Sequence, residues 1–377
     1  MMYERGRILA SLTLMCLAGV TVGSAYAQPC DGSWDTAPGN PGMTGSGLSI
    51  AVSALAVYND GSGPALYAGG YFTQAGGTSA NNIAKWNGTS WSALGAGMQT
   101  TDEIPAKVFA LTVFDDGSGP ALFAGGSFDK AGGVTVNNIA KWNGSSWSAL
   151  GAGTSASVYA LTVFDDGDGP ALYAGGTFYI AGSFTVNSIA KWDGSAWDLV
   201  GTGVSGGVVQ TRVAALAVFS DTGGPALYAA GDFTLASGVA ANRIAKWDGA
   251  NWHALGLGLN SNVSALAAAN GTSAIGPALY VGGNFSTAGG SGASYIAEWN
   301  GTAWSSLGSG ANFKIFALTV HDFGGGPALY AGGDFTEIGG VTANHVAMWD
   351  GSTWWALGDG VDDSVRAFAG SNESTGI

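Results

Sequence analysis

One segment of about 50 residues is repeated six times along the chain. In each copy the motif G-P-A-L-Y-x-[GA]-G precedes N-x-I-A-K-W-[ND]-G-x-x-W-x-x-L-G, with small variations. A proline lies 22 residues before a first tryptophan, and a second tryptophan follows five residues later. These two positions hold twelve of the 14 tryptophans: Trp86, Trp91, Trp142, Trp147, Trp192, Trp197, Trp247, Trp252, Trp299, Trp304, Trp349 and Trp354. A period of this length is typical of repeat architectures. We therefore expect the primary role of the tryptophans to be packing between elements and not ligand binding.

Each copy predicts four short strands, which we call a to d. Strand a reads V-x-A-L-x-V, strand b A-L-Y-A, strand c N-x-I-A-K-W and strand d W-x-x-L. Between strands c and d every copy has Asn-Gly or Asp-Gly, the dipeptides that favour tight hairpins. Four antiparallel strands in about 50 residues make a β-propeller blade. We therefore predict an all-β chain, a β-propeller of about six four-stranded antiparallel blades.

The number of blades depends on the two ends of the repeat array. Strand a occurs a seventh time at residues 365–368, whereas strands b, c and d occur six times in full. Residues 31–34 resemble a damaged [ND]-G-S-x-W and could supply a seventh strand d. Six blades with one extra strand at the seam is our prediction; seven blades with one incomplete, or a truncated longer protein, are the alternatives. The predicted divisions are a signal peptide (1–27), an N-terminal segment (28–48) and the propeller (49–377).

The repeat carries a family resemblance. The double glycine that closes strand b, the aromatic residue of strand c and the tryptophan of strand d resemble kelch-type repeats, including those of galactose oxidase. The form A-L-Y-A-G-G-x-F-T-x-A-G-G is also similar to secreted bacterial repeat proteins of unassigned function and to fungal cortical cell-polarity markers, over about residues 49–368. The resemblance implies the fold and no particular chemistry. Galactose oxidase activity requires a cysteine-modified tyrosine, and Cys30 lies outside the repeats, so that activity is not expected.

The amino terminus has the pattern of a secretory signal. Arg5 and Arg7 precede an apolar stretch at 8–22, and Ala25-Tyr26-Ala27 forms a small-x-small cleavage site. We predict a secreted, cell-surface or periplasmic protein with no integral membrane segment after cleavage. The signal carries two of the 12 basic and one of the 26 acidic residues, so the remaining chain has a formal charge near −15. Such a surface makes nucleic acid a poor partner.

Metal and cofactor sites are not predicted. The three histidines, His253, His321 and His345, occupy unrelated repeat positions and lack the fixed spacing of metal ligands. The turn at 165–168 has three aspartates and would suit calcium, but the turn at 270–273 has no carboxylate. We therefore interpret the acidic turns as solvated. The lysine of A-K-W becomes glutamate and methionine in the last two copies, which indicates a tolerant, partly exposed position; the six residues are Lys85, Lys141, Lys191, Lys246, Glu298 and Met348.

Three insertions between copies are expected at the surface. Those at 99–105 and 204–212 lie between strand d and the next strand a, and the third, at 270–275, lengthens an a–b turn. In a propeller the d–a and b–c connections share one face, which is the face that most often binds. The acids of that face that depart from the repeat are Asp102, Glu103 and Glu337, which would serve glycoside hydrolysis only if two of them converged. Four aromatic residues are better candidates for ligand contacts than the repeated tryptophans: Tyr71, Phe178, Tyr179 and Trp355.

The predicted function is a binding one. We expect an exported, non-enzymatic β-propeller that acts as a binding or surface-interaction module, with an unknown protein or glycan as ligand and no catalytic residue. The alternative is a carbohydrate-binding or carbohydrate-active protein that uses the long-loop face. A structural or adhesive repeat array is a third hypothesis.

Overall fold

The chain folds into six four-stranded antiparallel sheets. The computed structural model describes residues 43–44, 51–101, 104–271, 273–323 and 325–370. These residues form strands and turns and contain no helix, and the strands of every four-stranded sheet are ordered a, b, c, d. The predicted all-β, four-stranded antiparallel architecture is confirmed. The predicted signal peptide, Cys30 and the motif at 31–34 lie outside the described residues.

Strands a and b form a long hairpin in each sheet, numbered sheet 1 to sheet 6 in chain order. The a strands are Ala51–Asn59, Lys107–Asp115, Val158–Asp165, Arg212–Asp221, Val263–Ala269 and Ile315–His321. The b strands are Pro64–Tyr71, Pro120–Ser127, Pro170–Gly176, Gly224–Asp232, Ala278–Gly283 and Ala328–Gly333.

Strands c and d are shorter and form the outer half of each sheet. The c strands are Ile83–Trp86, Ile139–Trp142, Ile189–Trp192, Ile244–Trp247, Ile296–Trp299 and Val346–Trp349. The d strands are Trp91–Ala93, Trp147–Ala149, Trp197–Leu199, Trp252–Ala254, Trp304–Ser306 and Trp354–Ala356.

The double glycine at the end of strand b has two separate structural reasons. Opposite it, strand a contains a β-bulge, so that in sheet 2 Gly125 pairs with Ala110 while Gly126 pairs with Val108. A Cβ atom on Gly126 would meet the backbone carbonyl oxygen that precedes the bulge, far inside contact distance. A Cβ atom on Gly125 would lie 2.6 Å from the Val158 Cγ1 atom of sheet 3. The second glycine therefore permits the bulge, and the first permits close packing of the next sheet.

The sheets pack face to face, with the a strands of successive sheets in contact. Five apolar clusters each combine two neighbouring sheets: one of them joins Tyr67 and Leu94 of sheet 1 to Leu122 and Trp142 of sheet 2. The indole Nε1 of the strand d tryptophan donates a hydrogen bond to a backbone carbonyl of the preceding sheet. The five bonds are Trp147 to Leu94, Trp197 to Leu150, Trp252 to Val200, Trp304 to Leu255 and Trp354 to Leu307, at 2.8–3.2 Å.

The expected seventh strand a is present as a packed segment and not as a strand. Val365 is 7% exposed and joins the apolar cluster of Tyr330 and Val346 in sheet 6. It lies against Gly332, as Val158 of sheet 3 lies against Gly125 of sheet 2. The segment therefore covers sheet 6 in the way that each following strand a covers the sheet before it.

The sequence suggested that the a–b turns are solvated, but part of each turn in sheets 1 to 4 is engaged by the sheet. In sheets 1 to 4 the aspartate at the second position of the turn, whose side chain is 4–9% exposed, forms an ion pair with the strand c lysine, whose side chain is 13–19% exposed. The pairs are Lys85–Asp60, Lys141–Asp116, Lys191–Asp166 and Lys246–Asp221, at 2.5–2.7 Å. The lysine is partly exposed in these four sheets, as expected, but its side chain is held by an ion pair that we did not predict.

Sheets 5 and 6 replace both members of this pair together. In sheet 6, Phe323 takes the place of the aspartate and Met348 that of the lysine, and both pack in one apolar cluster with Tyr330. In sheet 5 the lysine is replaced by Glu298, whose carboxyl pKa is raised by burial and partly lowered again by a hydrogen bond with Ser305. The ion pair is thus a packing element that an apolar pair can replace.

We expect Lys141→Met to reduce the free energy of unfolding by about 3 kcal/mol at pH 7, because it leaves the Asp116 carboxylate buried without its cation. Chemical denaturation measures this change. The double variant Lys141→Met/Asp116→Phe recreates the pair of sheet 6 and is expected to recover most of the loss. A double variant no more stable than the single one would contradict this account.

The same pair has a pH dependence of known sign. Burial disfavours the charged carboxylate, but hydrogen bonds from Lys141 and Ser118 outweigh it and hold the pKa of Asp116 below its usual value. A lowered pKa in the folded state adds stability above the ordinary aspartate pKa of about 4 and loses it as the pH falls. The difference between wild type and Lys141→Met is therefore expected to shrink below pH 4.

Candidate binding surface

The b–c connections form a small hairpin in every repeat, and each hairpin contacts the d–a segment that precedes its sheet. The hairpin strands are Gln74–Ala75 with Thr78–Ser79, Lys130–Ala131 with Val134–Thr135, Ile180–Ala181 with Phe184–Thr185, Leu235–Ala236 with Val239–Ala240, Thr287–Ala288 with Ser291–Gly292, and Glu337–Ile338 with Val341–Thr342. The d–a strands Met43–Thr44, Met98–Gln99 and Val204–Ser205 pair with the hairpins of sheets 1, 2 and 4. Single bridges, Thr154 to Ala181, Leu259 to Ala288 and Ala311 to Ile338, serve sheets 3, 5 and 6. We call the surface made by these hairpins and d–a segments the hairpin face, and the surface of the a–b and c–d turns the turn face.

Exposed apolar side chains are concentrated on the hairpin face. Among the described residues, 13 large apolar side chains are exposed, and only Leu199 and Trp355, on outer d strands, lie elsewhere. Val208 and Val209 are 76% and 94% exposed at the tip of the loop before sheet 4. The eleven of the hairpin face are Ile104, Val134, Tyr179, Ile180, Phe184, Val208, Val209, Leu235, Val239, Leu257 and Phe313. Such a concentration marks an interaction surface more often than scattered exposure does.

The cationic side chains are divided between the two faces by role. Ten lysines and arginines lie among the described residues, and four of them are the lysines paired at the turn face. The other six lie on the hairpin face or at the inner-strand ends that reach it: Lys107, Lys130, Arg212, Arg243, Lys314 and Arg366. In a chain of net charge −14, every described lysine or arginine outside the repeated pairs thus lies on one surface.

One strained backbone position recurs on the hairpin face. The residue before strand c has a positive φ of 64–69° in all six sheets, a conformation that non-glycine residues rarely adopt. Backbone hydrogen bonds hold it: in sheet 1 the Asn82 N–H donates to the Phe72 carbonyl, and the Asn82 carbonyl accepts from Gly70. The six positions hold five residue types: Asn82, Asn138, Ser188, Arg243, Tyr295 and His345. A fixed backbone therefore carries side chains that vary between sheets.

A groove lies between the hairpins of sheets 4 and 5. Its volume is about 340 Å³, and its lining includes Arg243, Leu257, Asn260 and Thr287. Arg243 is 9% exposed, and its guanidinium forms an ion pair with Asp232. The Asn260 side chain accepts hydrogen bonds from the Thr287 and Ser286 backbone, so it holds the hairpin of sheet 5 in place.

The structure separates the four candidate ligand aromatics. Tyr179 is 62% exposed on the hairpin of sheet 3, and Tyr71 is half-buried beneath the Lys107 ammonium. Phe178 is 1% exposed, and its selection was wrong, because it occupies the repeated core position of Phe72, Phe128, Phe233, Phe285 and Phe335. Trp355 is exposed on an outer d strand, where its Nε1 donates to Asp350, and it does not belong to the hairpin face.

The candidate acids and histidines form no common site among the described residues. Asp102 and Glu103 lie outside those residues, and Glu337 is exposed on the hairpin of sheet 6. His253 Nε2 lies 2.6 Å from Asp248 Oδ2 on the turn face, whereas His345 Nδ1 lies 3.1 Å from the Gly333 carbonyl oxygen. Within the described ranges, no group of three or more His, Cys, Asp or Glu side chains could hold a metal ion.

We expected the insertions to lie at the surface. The loop at 204–212 does so, and the insertion at 270–275 does so only in part. The loop at 204–212 carries the most exposed apolar side chain of the described chain, Val209. In the insertion at 270–275, Asn270 is exposed and bonds to the backbone of Val218 and Ser220 in sheet 4, but Ile275 is buried. This insertion therefore packs across the boundary between sheets 4 and 5. No helix in the described part of the chain is long and apolar enough to cross a membrane.

Comparisons with known proteins bear on the architecture alone. No family model and no curated protein matches the chain. Solved structures of propeller-type proteins are similar: a chain of the mitotic checkpoint complex (15% identity, TM-score 0.48, 94% of this chain and 92% of that one) and BBS1N in complex with ARL6DN (11%, 0.45, 86% and 84%). An ancestral GH74 enzyme is 15% identical with TM-score 0.46 over 78% of this chain, which spans only 36% of that enzyme's length. No match supports the kelch or galactose oxidase type specifically.

Proposed function

We propose that this chain is an exported, non-enzymatic propeller whose six sheets are its blades and whose hairpin face docks onto a protein partner. The observation that carries the proposal is the contrast between the two faces. The turn face is built from contacts that recur from sheet to sheet, the buried Lys–Asp pairs among them. The hairpin face holds the exposed apolar side chains, the remaining cations and the side chains that vary between repeats.

The apolar side chains of this face favour a protein over a sugar. Most of them are aliphatic, and two of the most exposed, Val208 and Val209, stand next to each other in the loop before sheet 4. Aliphatic side chains gain from burial against other apolar side chains, as in the centre of protein interfaces. Flat aromatic rings are the platforms that stack on sugars, and Tyr179 is the observation that keeps the carbohydrate-binding alternative as a second candidate.

The test compares exposed apolar residues of the hairpin face with one that lies on an outer d strand. Purified mature protein is immobilised and exposed to the envelope and culture-medium proteins of the producing cell, and retained proteins are quantified. The variant Val208→Asp/Val209→Asp is expected to lose a specific partner at least about tenfold, because it places charge in the interface. Leu199→Asp, on an outer d strand, is the matched control and should retain the partner.

Two results would contradict this function. If the double variant retains the same proteins as wild type in the same amounts, the hairpin face is not the docking surface. Turnover of a substrate by the purified protein, abolished by one acid of the hairpin face, would make the chain an enzyme. Thermal unfolding of both variants, expected within a few degrees of wild type, excludes misfolding as the cause of a loss.

A further inference from the structure

We propose that a row of five residues at the inner edge of the hairpin face binds an acidic segment of the partner protein, with its carboxylates on Lys107 and Arg212. The row consists of Tyr71, Lys107, Phe109, Tyr159 and Arg212, and we call it the inner row. This inference rests on the proposed function, since it names the chemistry of the segment that docks.

The inner row runs across sheets 1 to 4 in two sets of contacts, which are linked through strand a of sheet 2. The Lys107 ammonium of sheet 2 lies 5.4 Å from the centroid of the Tyr71 ring of sheet 1. Phe109 of sheet 2 is stacked on Tyr159 of sheet 3, with centroids 4.6 Å apart and planes inclined by 15°. The Arg212 guanidinium of sheet 4 lies 5.3 Å from the same Tyr159 ring. Each ring or cation of the row is therefore positioned by a residue of the neighbouring sheet.

The backbone directs two of these rings out of the regular sheet. Phe109 and Tyr159 are the extra residues of the β-bulges in sheets 2 and 3, where the pairing with strand b skips one residue. Bulges redirect a side chain and are frequent beside functional sites. In sheets 1, 4 and 5 the same bulge position has small residues, Ser53, Ala214 and Ser264. The rings are thus additions to the repeat and not a requirement of the fold.

Arg212 has an unused hydrogen-bond donor. Its Nε is buried and has no hydrogen-bond partner among the described residues. The acid directly opposite it on strand b, Asp232, is already engaged by the Arg243 guanidinium and by the Val208 backbone N–H. A buried donor without an acceptor costs free energy, which an incoming carboxylate would recover through a charge-assisted bond.

Lys107 also forms no ion pair within the described residues. Its neighbour on strand b is Ser127, which carries no charge. The nearby hairpin acid, Asp129, accepts hydrogen bonds from the Thr101 backbone and hydroxyl, which hold its pKa low against the effect of burial. Arg212 therefore lies at one end of the Phe109–Tyr159 stack, and Lys107, which contacts Tyr71, begins the same strand as Phe109.

The loops next to Lys107 and Arg212 indicate that the ligand carries apolar side chains as well as carboxylates. Ile104, 67% exposed, precedes Lys107 in one d–a loop, and Val208 and Val209 precede Arg212 in another. Each cation thus has exposed aliphatic side chains beside it in sequence. A ligand that satisfies both must carry carboxylates and apolar side chains in one segment, which describes an acidic peptide. An acidic polysaccharide offers carboxylates but no aliphatic side chains to cover these loops.

The test is direct binding of a defined probe, measured by fluorescence anisotropy on the mature chain. The probe is a fluorescein-labelled nonapeptide with three glutamates separated by leucine and glycine, and the control peptide has glutamine at those three positions. Lys107→Met and Arg212→Gln are each expected to weaken probe binding about tenfold, and the glutamine peptide should bind as weakly. Lys130→Met removes an equal charge from the same face outside the row and is expected to change binding less than about twofold.

The possible outcomes are distinct. Equal binding by the row variants and wild type, or equal binding of the glutamine peptide, would overturn the proposal. Polygalacturonate that binds more tightly than the peptide, and through Lys107 and Arg212, would also overturn it in favour of an acidic glycan. If no peptide binds but Val208→Asp/Val209→Asp still loses its partner, the docking function stands and the inner row is not its contact.

Discussion

Replacing Gly126 by alanine is expected to reduce the free energy of unfolding by about 4 kcal/mol, the largest effect of any single methyl group added to sheet 2. The new Cβ would meet the carbonyl oxygen of Lys107 in the paired strand and lie 2.8 Å from a ring carbon of Phe128. Neither neighbour can give way cheaply, because one is backbone and the other is a buried ring. Chemical denaturation followed by tryptophan fluorescence measures the change.

The neighbouring glycine provides a graded control. A Cβ on Gly125 would press on Val158, yet sheet 4 has alanine at the equivalent position, Ala230, so the sheet boundary can adjust to one methyl group. Gly125→Ala is therefore expected to cost clearly less than Gly126→Ala. Gly292→Ala, in an exposed hairpin with open space around it, should be nearly neutral. If Gly126→Ala were no worse than Gly125→Ala, the bulge would not be the reason for the second glycine.

The strand order could be predicted from the sequence because its signals are local. Each strand is bounded by a glycine-rich or Asn-Gly turn, and the repeat shows the same signals six times. The ion pairs of the turn aspartates could not be predicted from such local signals. Asp116 and its partner Lys141 are 25 residues apart, and the turn that holds Asp116 has the composition of a solvated loop. The joint change to Phe323 and Met348 in sheet 6 was the available signal.

The hairpin face was predicted from loop lengths, and its chemistry was missed for a similar reason. Phe178 was selected as one of the aromatic residues that vary between copies or fall outside the core pattern, although the repeat itself places a phenylalanine there in every copy. Arranging the basic residues by repeat position would have shown that Lys107 and Arg212 share a position outside the A-K-W lysines. Their contacts with rings of adjacent sheets depend on packing between repeats, which a single repeat does not encode.

In the proposed function, the contrast between recurring and varying positions lets one repeat serve both stability and recognition. The positions that recur must be kept in each copy: Trp147 contacts the neighbouring sheet, and Gly126 permits the bulge in its own sheet. The positions that vary lie at the bulge, before strand c and in the d–a loops, where the backbone is fixed by those recurring contacts. Substitution there changes the surface without changing the packing between sheets.

Replacing Trp147 by alanine is expected to reduce the free energy of unfolding by about 4 kcal/mol. The indole is buried in the apolar core and also donates a hydrogen bond to the neighbouring sheet. It is 6% exposed, lies 5.2 Å from the ring of Trp142, and donates its N–H to the Leu94 carbonyl oxygen of sheet 1 at 3.0 Å. The substitution leaves a cavity between sheets 1 and 2 and removes one of the two hydrogen bonds of the Leu94 carbonyl, which keeps that from the Gly97 N–H. Urea denaturation of the mature protein, followed by circular dichroism, measures the loss.

Two further variants separate the ring from the hydrogen bond. Trp147→Phe keeps most of the apolar volume and removes the donor, so it is expected to cost about 1 kcal/mol, the usual net contribution of one hydrogen bond, because the Leu94 carbonyl still accepts from the Gly97 N–H. Trp355→Ala removes an indole that is 53% exposed on an outer strand and should cost less than about 1 kcal/mol. If Trp147→Ala and Trp355→Ala were equally mild, the second tryptophan of the repeat would not join the sheets, and its recurrence in all six copies would need a role in binding.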